Sequence, residues 1–214
     1  MKGALKQRIG LITSIVMLLS ITVGCSITTE KVQYTVLTKS NNFELRDYPP
    51  HLVAETVVDG TLEEAGNKAF NRLFSYISGK NRSQNKIAMT APVSQKAAAE
   101  KIAMTAPVGQ QRAAAGWTVS FAMPASYALE TLPLPEDTDV KLRQIPAQHM
   151  AAVQYSGTWS ERRYLEYKQE LESWIQKSGF RINGEPVWAR YNPPFTPWFL
   201  RRNEILIPVE NQQK

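Results

Sequence analysis

The chain of 214 residues has one cysteine, two histidines and no block of five or more Lys/Arg residues. A lone cysteine excludes an intramolecular disulfide. The absence of any Cys/His cluster excludes the usual structural zinc sites. There is no G-x-S-x-G, no H-E-x-x-H and no Gly-rich phosphate loop, so no catalytic or metal-ligating constellation is assigned. The formal charge of +6 includes Lys2, Lys6 and Arg8 near the N-terminus, and without them +3 is left for the remainder. A charge so small and so dispersed is no nucleic-acid footprint. Apolar runs are also scarce beyond residue 23, and the mean hydropathy is −0.31. This excludes a polytopic membrane protein, while 43% hydrophobic and 21% charged residues suit a globular domain rather than a disordered chain.

What is present begins with residues 1–24. A basic segment is followed by an apolar run from Ile9 to Val23 and then by Gly24-Cys25. The run is short and broken by Ser and Thr, which favours a secretory signal over an uncleaved membrane span. The small residue before the only cysteine resembles the bacterial lipoprotein signal, in which the cysteine is lipidated and becomes the mature N-terminus. Thr22 stands where that pattern usually has Leu. Three acyl chains at ~0.8 kcal/mol per buried CH2 would make a permanent anchor. Ser26, rather than Asp, after the cysteine implies by the same resemblance the outer membrane, facing the periplasm. The expected organisation is a signal peptide at 1–24, a lipidated linker at 25–32, a folded domain at 33–209 and a tail at 210–214.

Two internal repeats follow. Lys86-Ile-Ala-Met-Thr-Ala-Pro-Val93 recurs as Lys101 to Val108, a local duplication. More informative is a repeat at offset 97, which matches residues 44–61 to 141–158. Leu45/Leu142, Arg46/Arg143, Pro49/Pro146, Ala54/Ala151, Gly60/Gly157 and Thr61/Thr158 are identical. Each copy reads as strand, Pro-containing turn, strand, then Gly-Thr and a helix. The first helix has Thr61 and Glu64 at capping-box spacing. Its apolar stripe of Leu62, Ala65, Ala69, Phe70, Leu73, Phe74 and Ile77 has helical period. The second starts near Thr158 or Ser160, with Thr158 and Glu161 again at box spacing, and its stripe is Tyr164, Tyr167, Leu171, Trp174 and Ile175. Gly79 and Gly179 suit the left-handed position after each helix. Two further extended segments follow each helix. The expected fold is therefore α+β: two hairpin–helix–hairpin halves about a pseudo-twofold axis. Their strands would form one distorted, antiparallel, barrel-like sheet with two helices packed on it. The Pro- and acid-rich stretch Leu132–Asp139 would link the halves.

Several strings now converge: Phe43-Glu-Leu-Arg-Asp-Tyr48, the Met-Thr-Ala-Pro-Val motif, Trp117–Pro124, and Ala189-Arg-Tyr-Asn-Pro-Pro194 with Arg201-Arg-Asn-Glu204. In this order and spacing they resemble the SOUL haem-binding protein family from about Val32 to Val209. The resemblance implies a fold shared with bacterial effector-binding domains. It also implies haem or another tetrapyrrole in a shallow apolar cleft beside the first helix and the loop before the last strand. By position, Phe70 and Phe74 supply the cleft's apolar wall, and Phe195, Pro197, Trp198 and Phe199 form an aromatic loop over it. The family's basic positions, which pair with propionates, fall on the neutral residues Asn67, Ser75 and Thr196, which leaves Arg72 or Arg190 to substitute. In effector-binding relatives the position of Glu204 is the polar anchor of the pocket. The ligand-binding residues expected here are Asn67, Phe70, Phe74, Phe195, Thr196, Trp198 and Glu204.

Haem iron usually takes His, Cys, Met or Tyr. In one branch of the family a His follows Glu-Leu-Arg, but here that place is Asp47. His51 and His149 have opposite parity in the repeat, so they should face opposite sides of the sheet. By this reading His149 points inward, His51 outward, and neither is a metal ligand. The function expected is an envelope-anchored, non-enzymatic buffer or carrier that holds haem or another planar ligand without strong axial ligation. Its partners are that ligand and the membrane, not nucleic acid. Two alternatives are an enzyme that uses Glu204 on a small molecule and a structural envelope lipoprotein.

Overall fold

Proline shapes the path of the chain at two matching points. Tyr48-Pro49-Pro50-His51 and Ile145-Pro146-Ala147-Gln148 each join two strands by two residues. A two-residue hairpin turn of the favoured type needs φ > 0, which proline cannot adopt. In the computed structural model, which describes residues 29–84 and 99–211, neither pair of strands forms a hairpin. Strand β3 (Phe43–Tyr48) pairs with β11 (Gln148–Tyr155), and β4 (His51–Val58) pairs with β10 (Lys141–Ile145). The halves thus exchange strands, a departure from the expected hairpin–helix–hairpin halves. Cys25, the signal peptide and the first Met-Thr-Ala-Pro copy lie outside the described residues.

The remaining strands are β1 (Glu30–Lys31), β2 (Thr35–Ser40), β5 (Asn81–Arg82), β6 (Thr105–Ala106), β7 (Val108–Ala113), β8 (Gly116–Ala122), β9 (Leu134–Pro135), β12 (Phe180–Ile182), β13 (Val187–Arg190) and β14 (Asn203–Asn211). The main sheet runs β10-β4-β8-β7-β13-β14-β11-β3-β2, with β12 extending along β14 beyond β13. Under the offset of 97, β3 and β4 map onto β10 and β11, with β4 and β11 matching residue for residue. Reading β7 with β13 and β8 with β14 makes the first eight strands a palindrome about the β7–β13 pair. This is the expected pseudo-twofold. The sheet is not closed into a barrel: β10 and β2 remain its edges. Edge strand β2 carries a bulge between Val36 and Thr38 and an exposed Lys39, features that discourage pairing with another chain.

Two helices cover one face of the sheet. Helix α1 (Leu62–Ile77) begins with the expected capping box: Glu64 N donates to Thr61 Oγ1 at 3.2 Å, and Thr61 N donates to Glu64 Oε2 at 3.1 Å. Helix α2 (Glu161–Lys177) differs from expectation. Its N-cap is Ser160, no side chain caps it, and Thr158 lies upstream of the first turn. There Gly157 N donates to the Trp198 carbonyl, which ties this segment to the loop rather than to the helix. Gly79 and Gly179 follow the helices at φ +117° and +75°.

Leu45, Ala151, Val153, Trp188, Ile205 and Ile207 pack beneath α2, while Leu52, Ala54, Val119 and Phe121 pack beneath α1. The opposite face is also apolar at its centre, with Tyr48, Met150, Ala152, Ala189 and Leu206. The stretch Leu132–Asp139 is fixed rather than a loose linker. Leu132 is fully buried, Tyr76 Oη donates to the Pro133 carbonyl at 2.7 Å, and Arg72 pairs with Asp137 and Asp139 at 3.0 Å each.

Candidate functional site

Helix α1 carries two stripes. Leu62, Ala65, Ala69, Leu73 and Tyr76 are buried. Rotated from them, Gly66, Asn67, Phe70, Asn71 and Phe74 line a half-open cleft of about 530 Å³, within the range of small-molecule sites. The Phe70 and Phe74 rings stack 5.7 Å apart at 11°, which makes a flat wall, and Phe70 also leans on Phe121. Phe70 is 37% and Phe74 49% exposed, too open for ordinary helix core. The other walls are Thr29, Met104 to Ala106 and Val108, Trp159, and the run Arg190 to Phe195. The second Met-Thr-Ala-Pro-Val copy builds β6, the first residue of β7 and a cleft wall.

The structure brings together Asn67, Phe70, Phe74 and Phe195 of the expected ligand residues; Thr196, Trp198 and Glu204 are not among the lining residues. Phe195, Trp198, Phe199 and Leu200 are all exposed, on a loop ending in a single 3-10 turn at Trp198–Leu200. The Thr196 carbonyl accepts from Arg201 Nε at 2.8 Å, which fixes that loop.

Glu204 is set apart by strand parity. Asn203, Ile205 and Ile207 face the helices, so Glu204 faces the other side. It is 0% exposed. Its carboxylate accepts from Arg46 Nη1 at 2.7 Å, Arg202 Nη2 at 2.7 Å and Tyr191 Oη at 2.9 Å. Burial alone would lower the Arg46 pKa, but the bonded Glu204 outweighs it and raises it; the Arg202 pKa is raised in the same way. Burial and the neighbouring Glu204 keep the Tyr191 phenol neutral, well above its ordinary range.

Neither histidine lines the cleft. His51 lies on the opposite face, beside Val53, its ring nitrogen 3.1 Å from the Pro49 carbonyl. His149 shares the helix face by parity but is not inward. Its side chain is 44% exposed and 3.7 Å from Asp47, because β11 starts beyond the cover of α2. Among the described residues no cluster of three or more His, Cys, Asp or Glu could hold a metal ion.

Among the described residues, Arg190 is the one charged residue of the cleft wall. Its side chain shares the helix face with Trp188. Nη2 donates to Gln110 Oε1 at 3.0 Å, and Gln110 is itself oriented by its 2.6 Å bond to the Leu62 carbonyl. The guanidinium stands 5.4 Å from the Trp159 ring and 5.1 Å from the Trp188 ring. Desolvation pulls its pKa down to about 10, which still leaves it charged near neutrality. Trp159 in the wall and Gln110 behind it have no signal in the sequence that places them here, whereas the duplicated Met-Thr-Ala-Pro motif, which contains Met104, marks the wall without revealing its role.

A two-helix, pseudo-symmetric antiparallel sheet with an aromatic cleft against its first helix defines the chain as an α+β domain of one open sheet. The family model described as SOUL heme-binding protein matches residues 29–208, and the chain belongs to that family. It is 26% identical over 174 residues to "Heme-binding protein 2" of Homo sapiens, covering 80% of each chain. It is 25% identical over 150 residues to "Heme-binding protein 1" of Mus musculus, covering 70% of this chain and 74% of that one. Among solved structures, a hydrolase from Listeria innocua matches 81% of this chain and 94% of its own, with a TM-score of 0.52 and 15% identity. EcmrR in its complex with DNA matches 98% of this chain and 68% of its own, with a TM-score of 0.54 and 13% identity. At such identities these two share the fold alone.

Proposed function

We propose that the cleft binds haem or a related planar tetrapyrrole, held by apolar stacking and polar rim contacts rather than by a histidine. The observation that carries this reading is the flat Phe70–Phe74 wall, half exposed and opposed by Met104 and the Arg190–Phe195 run, in a chain of the SOUL family. A macrocycle needs a flat apolar face on which to lie. Both histidines lie elsewhere, which supports loose binding suited to buffering or carriage. Glu204, on which a catalytic reading would depend, is sealed within its ion pairs on the other face.

The test is titration of the purified protein with haemin, followed by the Soret band. Because Phe74 is half exposed, Phe74→Ala should cost little fold stability. It should weaken haemin binding about tenfold, on the scale of a lost aromatic contact and its buried area. Unchanged affinity in a folded variant would place the ligand elsewhere.

We further propose that the protein is anchored in the cell envelope through lipidated Cys25, facing the periplasm. Supporting this are the basic–apolar–Gly-Cys order of the sequence and the position of Thr29 on the cleft wall. Four residues reach at most about 14 Å, so an anchor at Cys25 would hold the cleft mouth and its exposed aromatic loop close to the bilayer. Cys25→Ser should abolish labelling by radioactive palmitate and release the protein from the membrane fraction. Persistent labelling would refute the anchor.

A further inference from the structure

We propose that Arg190 is the anion receptor of the cleft, and that its guanidinium takes the carboxylate of a planar apolar acid lying against Phe70 and Phe74. The proposal rests on the cleft being a ligand site and specifies the chemistry of what enters it. Among the described residues no carboxylate lies within ion-pairing distance of Arg190. Its one hydrogen bond among the described residues is to the neutral Gln110, and its Nε is buried without a partner. Every buried ion pair elsewhere is closed: Arg46 has Glu44 and Glu204, and Arg202 has Glu204. Arg72, the other candidate cation and a residue of α1, is occupied by Asp137 and Asp139.

The surroundings are built to seat this cation. Gly66 lies within α1, where glycine disfavours helix. A Cβ there would stand 2.7 Å from Arg190 Nη2 and 3.0 Å from Nη1, so the glycine makes room for the guanidinium. Trp159 has two arginines near its ring, Arg190 at 5.4 Å and Arg201 at 4.4 Å from the centroid. Among the described residues Arg201, beside the cleft, bonds only the Thr196 and Pro194 carbonyls and has no carboxylate within ion-pairing distance, so this end of the cleft is positive. Thr105 Oγ1, on the same wall, is a further buried polar atom without a partner. A guanidinium in a largely apolar wall binds a carboxylate strongly because neither charge is well hydrated there.

The experiment uses the purified full chain and two probe pairs. The first is metal-free protoporphyrin IX against its dimethyl ester, which removes iron ligation and isolates the carboxylates. The second is 8-anilinonaphthalene-1-sulfonate against neutral N-phenyl-1-naphthylamine. The wild type should favour the acid of each pair by about tenfold or more. Arg190→Gln, which removes the charge but keeps a polar amide, should reduce that preference to within about twofold and raise Tm by about 3 °C, since it removes an unpaired, largely desolvated charge. Gly66→Ala, which keeps the charge but displaces the guanidinium, should also weaken the preference. If the wild type binds neither porphyrin but shows an Arg190-dependent preference for the sulfonate, the tetrapyrrole reading fails and the anion receptor stands. Porphyrin binding with no acid preference, or a preference unchanged in Arg190→Gln, overturns the proposal. A lowered Tm with unchanged preference would make Arg190 a packing residue and overturn it as well.

Discussion

Glu204→Gln is expected to lower fold stability by about 3–5 kcal/mol, the cost of breaking a buried ion pair from one side. Glu204 is fully buried and receives four arginine hydrogen bonds, two from Arg46 at 2.7 and 3.0 Å and two from Arg202 at 2.7 and 3.0 Å. Arg46 is itself 1% exposed and also donates to Glu44 at 2.8 Å. Two guanidinium groups and two carboxylates balance. The glutamine keeps the shape but leaves one buried positive charge in excess, and its amide N–H groups would face donors. Urea unfolding measures the effect, and a midpoint change worth under 1 kcal/mol would show that the network carries little stability. The same cluster sets an acid limit. Burial pushes the Glu44 carboxyl up, but its bonds to Lys39 and Arg46 outweigh this and hold it below the ordinary value of 4.5. Its contribution is therefore present above about pH 4.5 and lost as pH falls through its lowered folded pKa.

The sequence repeat located the strands well because strand parity and the Pro turns recur at one offset, and β4 and β11 match residue for residue. Pairing partners were not legible. A Pro-containing two-residue link looks like a hairpin in sequence, and only the tertiary arrangement shows that β3 crosses to β11. The α1 cap was legible since Thr61 and Glu64 bond each other locally, whereas Thr158 with Glu161 is the same pattern spent on a segment held by the loop. At the cleft, helical period alone groups Phe70 and Phe74 with the core. Their half exposure appears only once the stripe is seen to be wider than the surface it covers. Arg-Arg-Asn-Glu reads as one charged cluster, yet strand alternation divides its work. Glu204 closes the buried ion pairs on the face away from the helices, Asn203 works on the helix face, and Arg201 pins the loop carbonyls before the strand starts.

That division makes Asn203 the link between the strand and the cleft. It is fully buried, its Oδ1 accepts from Trp159 Nε1 at 2.8 Å, and its Nδ2 donates to the Gly157 carbonyl at 3.2 Å. It also sits opposite Arg190 in the β13–β14 register. Asn203→Ala would leave an indole N–H and a backbone carbonyl unpaired, at about 1–3 kcal/mol for each group that stays buried. The expected loss of stability is about 2–4 kcal/mol. Because Trp159 then loses its tether, the cleft wall over Arg190 loosens, and haemin binding should fall with it. Asn203→Asp separates the two effects. It keeps the acceptor that tethers Trp159, gives up the donor to the Gly157 carbonyl, and sets a carboxylate across the strand from Arg190, where neighbouring side chains are about 5 Å apart. This variant should remain folded yet lose the preference for an acidic porphyrin over its dimethyl ester, since the cleft's cation would now be paired within the chain. Thermal melts and porphyrin titrations of the two variants decide the matter: if Asn203→Ala melts within 2 °C of the wild type, Asn203 does not hold the wall, and if Asn203→Asp keeps the full acid preference, Arg190 does not receive the ligand's charge.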